Sequence, residues 1–462
     1  MSLDRALLEI DRTLPSGAVL RDPDLCASYA GDESDVSPRV PDAVVRARTT
    51  EHVAAVLRAA SAHDVFVTPR AAGTGKSGGA IPVRGGIVLC LDGFGGIEEI
   101  HRGDLVSVVR PGTRTGALRE AVEAEGLFYA PDPNSLGECT LGGNVAENAG
   151  GPSTFRYGST RDWTLGLEVV TADGTVLEIG RRTHKGVTGY DLVALLCGSE
   201  GTLGVITRIT SKLAPRPERV RTLAIYLRSL ADVGPATMAV QATGLARAIE
   251  LLDDLTLAPL RATGRAAVPE RAQALLLVDL DGEEPAIERA TERLATQLEP
   301  LDPVEILVAD GASDRERLWS VRREMSRTLR SLAAHKLSED VVVPRSRLGA
   351  LLTACRQIAA RERVRMPSYG HAGDGNLHVN FLWDDDADAP RVRRAGRAVF
   401  EEVIRLGGTL TGEHGIGAAK AEHLSLEQSL EVIALEERLK ATFDPRGILN
   451  PGKIFPAHAH AC

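Results

Sequence analysis

The chain has 462 residues, 43% of them apolar and 25% charged, the balance of a soluble globular protein with room for two or three domains. A formal net charge of −9 gives no basic field for nucleic acid or an anionic membrane, and no apolar run reaches the length of a membrane span. The cysteines Cys26, Cys90, Cys139, Cys197, Cys355 and Cys462 are scattered without a Cys-x-x-Cys pair, which argues against an intrinsic iron–sulfur cluster and fits a reducing cytoplasm. The start Met-Ser-Leu-Asp-Arg has no signal-peptide character, so a cytoplasmic protein is expected.

In chain order, Leu3, Leu7, Ile10 and Leu14 put an amphipathic helix over 3–14. A strand at 44–47 precedes a helix at 50–63 opened by Thr50, and a strand at 65–68 runs into Pro69-Arg70-Ala71-Ala72-Gly73-Thr74-Gly75-Lys76-Ser77-Gly78-Gly79. That loop is neither of the two motifs it imitates. A P-loop needs glycine where Arg70 stands, and the dinucleotide fingerprint must open a helix, which Gly78, Gly79 and Pro82 oppose. What remains is a run of backbone amides unobstructed by Cβ atoms, suited to a diphosphate. Two comparable clusters follow, Pro131-Asp132-Pro133-Asn134 with Thr140–Gly151, and Gly198–Thr207; between them a hairpin turns at Asp173-Gly174. An ordinary turn would explain any one cluster, but three rich in Gly, Asn and Thr are harder to dismiss together.

Lys212-Leu213-Ala214-Pro215-Arg216-Pro217 reads as a linker. Beyond it an α+β pattern is expected, with strands at 221–227, 274–280 and 304–309 and helices near 232–243 and 285–299. A helix over 318–326 places Arg322 and Ser326 on one face at i, i+4, and Lys336 follows. A guanidinium and an ammonium are the groups a carboxylate substrate needs, although a solvated charge explains Lys336 as well, and Arg322 less so. His371 and His378 are seven residues apart, so on one continuous strand they would face opposite ways. Gly373-Asp374-Gly375-Asn376 between them is a turn signal that can fold the chain back and let both imidazoles converge. Asn380 then shares the face of His378. With Glu413 the histidines would make a divalent-metal site holding an open position, leaving His414 as a base; two unrelated glycine-rich turns are the plainer alternative. A helix is expected from 418 to 443, stopping before Asp444-Pro445. The tail His458-Ala-His460-Ala-Cys462 is read as a frayed end.

From about Pro41 to Phe455 the chain resembles the FAD-linked oxidases of the vanillyl-alcohol oxidase superfamily, in their (R)-2-hydroxyacid dehydrogenase branch of D-lactate dehydrogenases, glycolate oxidase FAD subunits and D-2-hydroxyglutarate dehydrogenases. The resemblance implies an α+β fold with an FAD-binding domain of the p-cresol methylhydroxylase type at 1–217, a cap or substrate domain at 218–410 and a segment at 411–462 returning to the FAD domain. It places Arg70, Ala72, Gly73, Thr74, Gly75, Ser77, Pro131, Asp132, Thr140, Gly143, Asn144, Asn148, Gly150, Gly151, Glu200, Gly201, Gly204, Val205, Ile206 and Asn450 around the FAD. Ala71 stands where the family commonly has glycine, and Lys76 where leucine is frequent. The flavin should be non-covalent, because the Arg70–Ser77 loop has no His or Cys, although Cys139 lies near the second cluster.

The same resemblance makes His371, His378 and Glu413 ligands of a divalent metal, zinc or manganese, and His414 the catalytic base. It brings Arg322, Ser326, Lys336 and Asn380 to the substrate. The implied reaction is oxidation of a small (R)-2-hydroxy acid to the 2-oxo acid, with electrons passed to a separate acceptor: a quinone, a cytochrome, an electron-transfer flavoprotein or oxygen. No nucleic acid or transmembrane segment is implied, and a homodimer is left open. Two other readings share the scaffold, an FAD-dependent alkyl transferase and a flavin subunit of a multi-subunit glycolate oxidase.

Overall fold

The computed structural model describes residues 2–263, 268–309 and 311–456. His458, His460 and Cys462 lie outside the described residues. The chain forms two compact units, Met1–Gly150 with Gly158–Arg216 and Glu413–Cys462, and Gly151–Tyr157 with Pro217–Gly412.

The first unit holds β1 (Val19–Leu20), β2 (Ala43–Arg46), β3 (Val67–Arg70) and β4 (Ile87–Cys90) in a sheet of order β1-β2-β4-β3. Strands β2, β4 and β3 are parallel, so their connections must cross over, and the helix Thr50–Ala62 makes one such crossover. The helix starts at Thr50 as expected and ends one residue short of 63; the residue that caps it is Thr49, its hydroxyl accepting from the His52 amide at 3.2 Å. Val53, Val56 and Leu57 from this helix close one core with Ala6, Leu7 and Ile10 of the helix Ser2–Thr13 and with Val45, Val67, Ile87 and Leu89 of the sheet. The strand expected at 65–68 begins two residues later, because the Val65 amide is still donating to Ala60 O at the helix end.

A second sheet contains β5 (Ile97–His101), β6 (Val106–Val109), β8 (Thr164–Val170), β9 (Val176–Gly180) and β10 (Val205–Lys212), antiparallel in the order β5-β6-β10-β8-β9. The short β7 (Leu127–Phe128) pairs with β11 (Ala214–Pro215). Hairpin β8-β9 turns at Asp173-Gly174 with Gly174 at φ +81°, and a Cβ there would strike Arg58 and Ala54 O. The C-terminal segment returns alongside β3: Val67 N donates to Ile448 O, and Asn450 N donates to Val67 O, both at 2.8 Å.

The second unit is built on seven antiparallel strands, β12 (Arg219–Leu227), β13 (Ala246–Asp253), β14 (Ala274–Gly282), β15 (Glu305–Val308), β16 (His335–Val342), β17 (Ser368–His371) and β18 (Asn376–Trp383), ordered β15-β12-β14-β13-β17-β18-β16. Helices Val233–Gln241 and Glu284–Leu298 lie close to the expected positions. Two expected helices are broken. The one over 318–326 divides into Ala312–Arg323 and Met325–Arg330 at Glu324, so Arg322 and Ser326 sit on different helices rather than one turn apart on one. The stretch 418–443 is a short 3₁₀ turn at Ala421–Leu426 and then the helix Leu430–Phe443, restarted by Ser429, whose hydroxyl caps Val432 N.

Candidate active site

His371 ends β17 and His378 lies inside β18. The register pairs Tyr369 with His378, so His371, two residues beyond Tyr369, shares its face. The four-residue turn 372–375 therefore turns an odd separation into a common face. The two imidazole centroids are 5.4 Å apart and nearly perpendicular. Gly375 at φ +77° makes the turn possible, since a Cβ there would fall into Val343 O.

The same face extends over both neighbouring strands. On one side β13 sets Glu250 opposite His371, and on the other β16 sets Asp340 opposite His378. Two and four residues from Asp340, on the same side of the sheet, are Ser338 and Lys336, with Asn380 opposite Ser338. The helices Ala312–Arg323 and Met325–Arg330 cover this face through Trp319, Met325 and Leu329. They bring Arg322 down to Glu250, its Nε donating to Oε2 at 2.6 Å, with the guanidinium 4.7 Å from the Tyr369 ring centroid. Lys336 Nζ donates to Ser326 Oγ at 2.9 Å. Arg322, Ser326, Lys336, Asn380, His371 and His378 are thus gathered on one side of one sheet.

Among the described residues, the buried atoms of this face without a hydrogen-bond partner include Arg322 Nη2 and Asn380 Oδ1. Arg322 is only 2% exposed. A buried donor left unmatched on an always-charged fork fits an anion, and its geometry suits a carboxylate. Burial alone would raise the pKa of Glu250, but Arg322 and His371 outweigh it and hold the carboxyl below its ordinary range. Glu250 Oε1 is 2.5 Å from His371 Nδ1.

Asp340 organises the other end. It accepts from Asn376 Nδ2 at 2.5 Å, Thr411 Oγ1 at 2.9 Å and Gly412 N at 2.8 Å, while His378 Nδ1 is 3.8 Å away. Gly412 has no room for a side chain against Asn376 and Val342. The next residue is Glu413, and donor atoms of His371, His378 and Glu413 all lie within 4.8 Å of one another. Two imidazoles and one carboxylate are the donor set of a catalytic divalent cation, so these residues fit the expected metal. His414 Nε2 is 4.0 Å from Glu413 Oε1.

In the first unit the three glycine clusters come together. Asn450 Nδ2 donates to Gly79 O at 3.0 Å and Glu200 O at 2.7 Å, joining the first cluster to the third. Glu200 N and Gly198 N donate to Ala146 O and Val145 O, joining the third to the second. Around this junction Gly75 has open space where a Cβ would stand, and Ser77 Oγ and Asn450 Oδ1 are buried without partners. The open space at Gly75 and the unmatched polar atoms fit the FAD expected of Ala72, Gly73, Thr74, Gly75 and Ser77.

Other expected residues serve the frame itself. Arg70 Nη1 donates to Gly31 O at 2.6 Å, and Asp132 lies 3.9 Å from Arg119. Thr140 caps the helix Leu141–Glu147 at Gly143 N, and Asn144 donates to Thr115 Oγ1 at 2.8 Å. Asn148 closes that helix in the left-handed region and accepts from Ser159 and Arg161. Pro131 follows β7, Gly150 ends the stretch, and Gly151 falls in the second unit. Gly201 rests near Pro69, Gly204 packs under Val169, and Val205 and Ile206 open β10 on β8. The Glu200 carboxylate is committed to the Ile416 and Gly417 amides at 2.8 and 2.7 Å, so it fastens the loop that follows His414.

Glu147 lies beside Glu200, each of them near the position a Cβ on Gly415 would take. Burial and the neighbouring Glu200 push the Glu147 carboxyl well above its ordinary 4.5. Burial raises Glu200 to about 7 and lowers Lys453 to about 8. A folded-state pKa above the unfolded one means that the fold keeps a proton the unfolded chain releases, so stability falls as pH rises above 4.5. Glu147→Gln should therefore melt close to wild type at pH 4.5 and increasingly above it as pH rises. A melting-temperature difference that shrinks with pH would contradict this.

Residues 216–454 match the family described as FAD linked oxidases, C-terminal domain, and residues 41–180 match the FAD binding domain. The chain is 39% identical over 434 residues to glycolate oxidase subunit GlcD of Bacillus subtilis (strain 168), covering 93% of this chain and 92% of that protein. This chain belongs to the FAD-linked oxidases. As an FAD-linked oxidase it is an oxidoreductase. It is also 33% identical over 464 residues to D-2-hydroxyglutarate dehydrogenase of Stutzerimonas stutzeri (strain A1501), covering 98% of this chain and all of that one (100%). In fold this oxidase resembles p-cresol methylhydroxylase at TM-score 0.80 and 16% identity, over 98% of this chain and 96% of that one. Its α+β architecture is therefore of the p-cresol methylhydroxylase type. No helix among the described residues is long and apolar enough to cross a membrane.

Sequence reasoning missed Glu250 and Asp340. The signal for Glu250 was an acid inside an apolar run, Ala-Ile-Glu-Leu-Leu at 248–252, which is costly to bury unless paired.

Proposed function

We propose that this FAD-linked oxidase converts a small (R)-2-hydroxy acid, of the glycolate, D-lactate or D-2-hydroxyglutarate class, to its 2-oxo acid. The observation that carries the reading is the single sheet face shared by His371, His378, Asn380 and Lys336, onto which Arg322 is buried. His371, His378 and Glu413 would hold a divalent metal, and the glycine clusters with Ser77 and Asn450 a non-covalent FAD. When bound, the cation would supply a Lewis acid for the α-hydroxyl and the flavin a hydride acceptor. Arg322 pairs with the α-carboxylate and orients the α-carbon. Asn380 Oδ1, buried without a donor, accepts from a substrate hydroxyl. His414 takes the hydroxyl proton onto an imidazole nitrogen as the α-hydrogen leaves with its electron pair. The two electrons go on to a separate acceptor.

The reading rests also on relatives named glycolate oxidase subunit and D-2-hydroxyglutarate dehydrogenase. Its test is a panel of (R)- and (S)-2-hydroxy acids with a redox dye, before and after prolonged chelation. Turnover of (R)-acids or glycolate, lost on chelation and restored by Zn²⁺ or Mn²⁺ with the flavin still bound, is the expected result. A preference for (S)-acids, or full activity in metal-free protein, would overturn it. Acid precipitation should release the yellow colour into solution; colour that stays with the protein would contradict a non-covalent flavin.

Lys336 is assigned to a second carboxylate of the substrate. Lys336→Ala should then damage turnover of D-2-hydroxyglutarate or D-malate while sparing D-lactate. An equal fall for both classes would move Lys336 to the shared carboxylate.

A further inference from the structure

We propose that Glu250 is the positioning residue through which the metal site and the substrate clamp are set by one carboxylate. The inference rests on the function proposed above and adds a residue to it. Glu250 is fully buried in the middle of β13 and opposite His371 in register. Its Oε1 lies 2.5 Å from His371 Nδ1, and its Oε2 accepts from Arg322 Nε at 2.6 Å. Each oxygen thus serves a different functional side chain.

The chemistry of each contact fixes an orientation. A carboxylate accepts and does not donate, so the neutral His371 ring must carry its proton on Nδ1, and Nε2 becomes the nitrogen with a lone pair for a cation. For Arg322, holding Nε turns the guanidinium plane so that Nη2 is the donor left buried and unmatched, available to a carboxylate. Rotating either side chain away from Glu250 would break a charge-assisted hydrogen bond in a dry site.

This arrangement predicts an asymmetric effect of a near-isosteric change. In Glu250→Gln the amide has one acceptor and one donor, yet two donors face it. If its NH₂ turns to His371, the ring must change tautomer and lose the Nε2 lone pair. If it turns to Arg322, two donors meet and the guanidinium is displaced. Either way one of the two sites is spoiled. Glu250→Asp keeps two acceptors on a shorter arm and should recover part of both.

The experiment uses the FAD-loaded full chain stripped of metal. Zn²⁺ affinity is measured by calorimetry, KM and kcat with whichever of glycolate, D-lactate and D-2-hydroxyglutarate wild type oxidises fastest, and folding by thermal melting. Loss of a partner that orients a metal-bound histidine lowers metal affinity on the order of 10–100-fold. In folded Glu250→Gln we expect such a drop in Zn²⁺ affinity, a rise of KM of similar size, or both, with Glu250→Asp intermediate. Wild-type Zn²⁺ affinity and wild-type KM in Glu250→Gln, with only the melting temperature lowered, would reduce Glu250 to a structural role and overturn the proposal. If Glu250→Gln does not fold, Glu250→Asp decides by the same two readouts. Failure of the underlying reading is distinguishable, because then wild type itself binds no Zn²⁺; the KM of the variant alone then decides whether Glu250 positions Arg322.

Discussion

Replacing His414 with asparagine should lower turnover on the order of 10²–10⁴-fold, the contribution of a positioned general base. Flavin content should not change, because the glycine clusters proposed to hold it are joined to one another by Asn450, Glu200 and the carbonyls of Val145 and Ala146 rather than by the His414 ring. The loop carrying it is secured independently: Glu200 receives the Ile416 and Gly417 amides, and Asp340 receives Gly412 N. The asparagine variant should therefore keep the backbone around position 414 and lose only the proton acceptor. Pre-steady-state reduction of the bound flavin, followed by its absorbance, isolates the step concerned. Flavin reduction within about tenfold of wild type would require a different base.

The second large effect is expected at Arg322. A simple truncation would confuse two causes, since removing one partner of a buried ion pair costs about 3–5 kcal/mol of stability by stranding the other charge, here Glu250. Arg322→Lys retains the charge for Glu250 and removes the planar fork. A hydrogen bond to a charged group contributes about 1.5–3 kcal/mol. That converts to a loss of roughly 10- to 150-fold in kcat/KM. A melting temperature close to wild type, together with that loss, would assign Arg322 to the substrate. Unaltered kcat/KM in a well-folded Arg322→Lys would remove it from the site.

The local signals that survived folding are those with a short-range cause. Asp173-Gly174 turns a hairpin because glycine tolerates φ +81° there, and 372–375 turns another because Gly375 tolerates φ +77°. The three glycine clusters were legible for the same reason: residues lacking a Cβ mark places where backbone must stay uncovered. The histidine pair and its carboxylate were visible as types, and the turn between the histidines as a possibility. Their common face depended on register, because Tyr369 opposite His378 puts His371 alongside, whereas a slip of one residue would have reversed it.

Long-range pairing decided the rest. Glu250 is 121 residues from His371 and 72 from Arg322, a separation that no local pattern spans. Only the sheet order β13-β17-β18-β16 brings Glu250 and Asp340 to the two sides of the histidines. The break at Glu324 moved Ser326 off the helix of Arg322, and packing of Trp319, Met325 and Leu329 on the sheet, rather than helical spacing, brought both to the same face. Residues 151–157 folding with the second unit left no mark on composition, since their partners Arg247 and Asp281 lie about a hundred residues further on. The sequence by itself determined which chemical groups this oxidase has and where its backbone can turn, because those depend on side-chain type and neighbouring dihedrals. The tertiary structure alone decided which groups face one another, because strand register and the pairing of buried charges are settled between residues far apart in the chain.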